Sequence, residues 1–250
     1  MKALVTGASS GIGLEISKYL DSIGYEIILV ARDKEKLESV AKTLTHKPKI
    51  IVMDLQQVED IKSLYVLVKN DDIDILVNNA GFGLFGNFTE TDLSKELNMI
   101  DINIKAVHIL TKLFLKDMKR KNKGYILNVA SSAAFQSGPL MATYYSTKSY
   151  VYRLTEAINY ENKKEKVNVQ VSCLCPGPVD TNFNKVAGVR FSVKPLKADY
   201  VAKYAIDQMV KGKMLIIPGF KMKCAKFFGR FVSDKKLMAI TYRIQKKKVK

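Results

Sequence analysis

The stretch Lys2-Ala-Leu-Val-Thr6-Gly-Ala-Ser-Ser-Gly-Ile-Gly13 decides how the rest of the chain is read. Lys2–Thr6 is short and apolar on both parities, the pattern of a strand covered on both faces. It runs directly into Gly7, Gly11 and Gly13, and the segment Gly11–Ile23 then has helical spacing. A helix N-terminus offers free backbone N–H groups to an anion, and a backbone without Cβ atoms lets a phosphate come close. At a first strand-to-helix junction, this predicts a turn that cradles the pyrophosphate of a dinucleotide. The spacing is T-G-x-x-x-G-x-G, with three residues between the first two glycines.

Outward from this turn, the same alternation continues. Glu26–Val30, Lys49–Met53, Ile73–Val77 and Tyr125–Val129 read as strands, and Lys34–Leu44 and Val58–Lys69 as helices. Leu37, Val40, Ala41 and Leu44, for instance, fall at i, i+3, i+4 and i+7. A long helix is expected over about Ala142–Asn162, a strand at Val167–Leu174, a helix after Asp199 and a short strand at Met214–Ile217. Strand and helix in strict alternation call for an α/β fold with a doubly wound parallel sheet, of about seven strands here. No linker or repeat divides residues 1–220, which are expected to form one catalytic domain followed by a basic amphipathic extension, 221–250. Asn182–Lys197 lacks a period and holds Gly188 and Pro195, so a mobile loop is expected there.

Bulk properties fit this picture. A chain of 250 residues can bury a substantial core. The opening residues are already strand-like and carry no secretory pattern, and no apolar run approaches the ~18–20 residues of a membrane span. Three cysteines suit a reducing, cytoplasmic setting; Cys173 and Cys175 alternate onto one face of a buried strand. With only His46 and His108 available, and neither near the cysteines, no metal site is expected.

Two further features carry chemistry. Tyr144-Tyr-Ser-Thr-Lys148 places a phenol and an amine four residues apart, on one face of the long helix. A phenol of pKa ~10 becomes a useful acid–base group near neutrality when a cation stabilises its phenolate. Tyr145 is adjacent, but only Tyr144 has a lysine at +4. At the end of the second strand stands Val30-Ala31-Arg32, where a carboxylate would select a ribose 2′-hydroxyl and a cation a 2′-phosphate. Arg32 therefore favours NADP(H) over NAD(H), with Asp33 a partial counterweight.

These motifs resemble the short-chain dehydrogenase/reductase family, whose cofactor loop is TGxxxGIG. Asp54, Asn78-Asn79-Ala80-Gly81, Asn103 and Pro176-Gly177-Pro178-Val179-Asp180-Thr181 match further family motifs in order along the chain. The resemblance implies a Rossmann fold and reversible hydride transfer between a nicotinamide and a small carbonyl or alcohol. It implies a catalytic set of Ser131 (with Ser132 the alternative), Tyr144, Lys148 and Asn103, the last holding the water of a proton relay. The cofactor would lie along Gly7, Ser9, Ser10, Gly11, Ile12, Gly13, Arg32, Asp54, Leu55, Asn79, Ala80, Gly81, Tyr144, Lys148, Pro176, Gly177, Val179 and Thr181. Family members usually form dimers or tetramers, so a homo-oligomer is expected. Phe82, Leu84 and Phe85 are expected to shape an apolar pocket together with the 182–197 loop.

The net charge of +17 is concentrated at one end. Residues 211–250 hold 13 Lys and Arg against one acid, Asp234. Lys221–Arg230 and Ser233–Lys250 interleave those cations with aromatic and aliphatic residues. Three readings compete: two helices packed on the domain or on another subunit, a membrane-surface segment, or a nucleic-acid contact, the last without a recognition motif. This extension and Ala134-Phe-Gln-Ser-Gly-Pro139 are also similar to DltE-like bacterial short-chain reductases.

Overall fold

Leu4 and Val5 are neighbours on the first strand and both fully buried, yet they belong to different apolar layers. A strand that hides both faces must have helices above and below it. The computed structural model, which describes residues 1–183, 187–188 and 194–246, has that arrangement.

Seven parallel strands form one sheet: β1 (Lys2–Thr6), β2 (Glu26–Ala31), β3 (Lys49–Val52), β4 (Ile73–Asn78), β5 (Gly124–Val129), β6 (Val169–Leu174) and β7 (Leu215–Ile216). Their spatial order is β3-β2-β1-β4-β5-β6-β7. The chain starts in the middle, at β1, and winds outward in both directions, so the strand order reverses between β1 and β4. Helices α1 (Gly11–Ser22), α2 (Lys34–Ala41) and α7 (Ala198–Val210) share one apolar layer with the sheet. Helices α3 (Val58–Val68), α5 (Val107–Lys121) and α6 (Ala142–Lys164) cover the other face. This is the doubly wound Rossmann architecture expected from the sequence, and its ligand crevice lies outside the carboxyl ends of β1 and β4.

The boundaries differ from expectation where a local bond intervenes. The sixth strand starts at Val169, not Val167, because Lys166 takes a left-handed φ of 56° and the Val167 N–H turns back to the Asn162 carbonyl. Between β4 and β5 lie α4 (Leu93–Ile100), a π-helical turn (Asp101–Ala106) and α5, a continuous rod with one wide turn. That extra residue per turn breaks the 3.6-residue period.

The C-terminus forms α8 (Phe220–Gly229) and α9 (Asp234–Lys246), the helical extension expected from the sequence. The 182–197 loop falls partly outside the described residues, at 184–186 and 189–193. Its roots are tied by Asp180 N–H to Leu196 O and Leu196 N–H to Pro178 O, each 2.9 Å. Residues 247–250 of the extension also lie outside.

Candidate active site

The turn after β1 is organised by Thr6. Its hydroxyl donates to the Val77 carbonyl and accepts from the Asn79 and Ala80 N–H groups, fastening the end of β1 to the end of β4. Asn79 Nδ2 completes the tie by donating to the carbonyls of Thr6 and Gly7. Gly13 lets α1 close on this knot: a Cβ there would sit 2.4 Å from both Asn79 Nδ2 and the Gly7 oxygen. Gly13 is thus a packing glycine behind the turn, while Gly7, Ser9, Ser10, Gly11 and Ile12 line the cleft. No side chain caps the N-terminus of α1 among the described residues, and its first turn holds no acid. Its N–H groups are left to an anion.

At the end of β2, Arg32 and Lys36 line the same cleft. Asp33 lines it too, but its carboxylate caps α2, accepting from Lys36 N–H at 3.0 Å and pairing with Lys36 Nζ at 2.6 Å. The bonds to Lys36 hold that carboxyl below its ordinary range. Asp54 is not among the cleft-lining residues; it accepts from Gln56 N–H and stands 3.9 Å from Arg32, while Leu55 lines the cleft.

The far end of the cleft gathers the candidate chemical groups. Tyr144 and Lys148 project from one face of α6, and both are buried. Lys148 Nζ donates to the Val129 carbonyl at 3.0 Å and lies 5.8 Å from the centre of the Tyr144 ring. Burial pushes the Tyr144 phenol well above its ordinary range, and a hydrogen bond with the Ser131 side chain pulls it back. Burial lowers the Lys148 ammonium to about 8, opposed by the nearby Cys173 and Cys175 thiols. Ser131 and Ser132 both line the cleft; Ser131 Oγ accepts from Ala133 N–H, and Ser132 N–H donates to the Pro176 carbonyl.

Asn103 sits on the π-helical turn, fully buried and behind the cleft surface. Its Oδ1 accepts from Phe82 N–H, and its Nδ2 donates to Phe82 O and Thr147 Oγ1. Gly81 leaves the gap where this amide and the lysine meet: a Cβ there would lie 2.5 Å from Asn103 Oδ1 and 3.5 Å from Lys148 Nζ. Ala80, Gly81, Pro176, Gly177, Val179 and Thr181 line the cleft between its two ends.

The cleft holds about 1650 Å³. That exceeds the ~300–1,000 Å³ typical of a single small-molecule site, so a dinucleotide and a substrate fit together. Phe82, Leu84, Met141 and Phe183 form its apolar wall near Tyr144. The outer wall was not foreseen in the sequence. It comes from α8, α9 and the turn between them, through Met222, Val232, Leu237, Ile240 and Ile244. Gln245 Nε2 donates to the Tyr145 hydroxyl and Gln136 Nε2 to Thr241 Oγ1, pinning α9 over the mouth. The amphipathic pattern of the extension was visible; its polar anchors carried no periodic signal.

Residues 1–189 match the family model described as short chain dehydrogenase. An uncharacterized oxidoreductase of Staphylococcus saprophyticus is 33% identical over 214 residues, 82% of this chain and 91% of that protein. A short-chain dehydrogenase from Sphingobium yanoikuyae in complex with NADPH has the same fold, with TM-score 0.83, 24% identity and 95% of each chain covered. So does one from Burkholderia phymatum in complex with NAD, with TM-score 0.84, 22% identity and 94% of each chain covered. The chain belongs to the short-chain dehydrogenase family of oxidoreductases.

Proposed function

We propose that this chain is an NADP(H)-dependent oxidoreductase acting reversibly on a small carbonyl or alcohol, with Tyr144 as its acid–base group. The observation that carries this reading is the convergence of Ser131, Tyr144 and Lys148 at one end of a cleft whose other end is the uncapped α1 N-terminus. Bound there, the nicotinamide supplies a hydride donor in one direction and an acceptor in the other. Ser131 fixes the substrate oxygen by hydrogen bonding, and Tyr144 gives or takes the proton. Burial keeps the phenol protonated at rest, the form needed to donate toward a carbonyl. The Lys148 charge lowers the cost of the phenolate left behind. Asn103 positions Phe82 and, through Thr147, the start of α6; the second lone pair of its Oδ1 is the acceptor for a relay water.

Preference for NADP(H) is supported by Arg32 and Lys36 at the β2 edge and by Asp33 being engaged as a helix cap. The test is NADPH oxidation across a panel of ketones and aldehydes. Tyr144→Phe is expected to lose at least about 100-fold in kcat while still binding NADPH. Full turnover by that variant would remove Tyr144 from the chemistry.

A further inference from the structure

Among the described residues, helices α8 and α9 are partnered on one side only. Inward, Met222 fills the space beside Gly177, and Leu237, Thr241 and Gln245 form a stripe at i, i+4 and i+8 toward the cleft mouth. Outward, Phe220 and Phe231 are 80% and 76% exposed, and Phe227 and Phe228 are also exposed. The Phe227 ring meets Phe228 at 5.3 Å and Phe231 at 5.6 Å, so these three exposed rings form one cluster. Residues 220–246 carry eight Lys and Arg against a single acid, Asp234. Ile240 and Ile244 line the cleft yet are each 47% exposed, so its rim runs onto this outer face.

We propose that the α8–α9 face docks on an anionic lipid bilayer, and that the site takes a long-chain, membrane-dissolved carbonyl or alcohol entering across Ile240 and Ile244. The second half rests on the oxidoreductase reading above. Clustered aromatic rings flanked by cations match the headgroup–acyl boundary, where the rings leave water and the cations meet lipid phosphates. A second copy is a poorer occupant, because a two-fold interface would set the exposed cations of one α8–α9 face, Lys221, Lys235 and Lys236 among them, against the same cations of the other. Nucleic acid would satisfy the cations and leave the phenylalanine cluster in water. The two helices have 10 and 13 residues, well short of the ~20 that span a bilayer, so they lie along the surface. No helix of the described residues is long and apolar enough to cross a membrane.

The experiment sediments the full-length protein with vesicles of phosphatidylcholine alone and of phosphatidylcholine with equal phosphatidylglycerol. Binding is expected to the anionic vesicles only and to be reversed by about 0.5 M salt. Phe228→Ser with Phe231→Ser, and separately Lys221→Gln with Lys235→Gln and Lys236→Gln, should each weaken partitioning at least about tenfold. None of these five residues lines the cleft, so turnover of a short water-soluble ketone should be unchanged while turnover of a long-chain ketone presented in vesicles falls. No sedimentation, or equal sedimentation with both lipid compositions, overturns the docking. So does a dimer that the Phe→Ser pair converts to monomer, or tight salt-sensitive binding to duplex DNA without vesicle binding. Vesicle binding with no carbonyl turnover supports the docking and overturns the substrate half; turnover of soluble ketones without vesicle binding overturns the docking and leaves the oxidoreductase reading standing.

Discussion

At 5% exposure, the Lys148 ammonium has a single protein acceptor among the described residues, the Val129 carbonyl. Burial brings its pKa down from 10.5 to about 8. Between those two values the unfolded chain binds more protons than the folded one, so the stability linked to this group rises with pH across that window. Below about pH 8 the penalty is present in full, of the order of 3 kcal/mol. Lys148→Met should therefore raise the melting temperature of the ligand-free protein near neutral pH by several degrees, with the gain shrinking as pH approaches 10. The same substitution should cut kcat by at least about 100-fold, because the phenolate loses its cation. Calorimetry over that pH range checks the first effect; a variant no more stable than the parent near pH 7 would mean the amine carries no such penalty. Arg32 gives the second prediction at this scale. Arg32→Asp should raise the KM for NADPH at least about tenfold and lower that for NADH, since a carboxylate repels a 2′-phosphate and accepts from a 2′-hydroxyl. Equal KM changes for both cofactors would place Arg32 away from the ribose.

Elements are joined beneath the site by a buried polar network that alternation alone did not reveal. Asn78 on β4 donates to Thr111 on α5 and to Asn128 on β5; Asn128 in turn donates to Thr155 on α6. All four side chains are buried, so each lost partner leaves a desolvated group. Asn128 Oδ1 also accepts from Thr111 Oγ1, so Asn128→Ala removes three bonds and should destabilise the fold by about 2–3 kcal/mol, read by urea unfolding. A change under ~0.5 kcal/mol would show that the neighbours re-pair. Strands and flanking helices were legible because burial on both faces leaves continuous apolar runs, as in Leu4 with Val5. The rod from Leu93 to Lys121 was not, since its π-helical turn at Asn103 shifts the apolar stripe part-way along. The Tyr144–Lys148 pair was legible from i, i+4 geometry, and Asn103 only through family resemblance, because a lone helix asparagine has no pattern of its own. Thr6 stood at the head of the glycine turn, yet its three bonds depend on β4 lying beside β1, a pairing that no local spacing records.

Across the whole molecule, the last helix closes over chemistry that begins a hundred residues earlier in the chain. Gln245 reaches Tyr145, the neighbour of the catalytic candidate, and Thr241 accepts from Gln136, next to the turn that opens at Ser131 and Ser132. Such contacts wall the cleft near Tyr144 and do not reach its other end, where Gly7, Ser9 and Arg32 lie. Removing α9 by ending the chain at Ser233 should therefore separate the two functions. NADPH affinity is expected to stay within about twofold, whereas the KM for a bulky apolar ketone should rise at least about tenfold as Leu237, Ile240 and Ile244 are lost. A small ketone, which needs less of that wall, should be affected less. Thr241→Ala with Gln245→Ala offers the milder form of the test, because it releases the helix without deleting it. Equal loss of NADPH binding and turnover in both forms would make α9 a general stabiliser of the fold; a rise confined to KM for the bulky substrate would identify it as the wall that selects what Tyr144 meets.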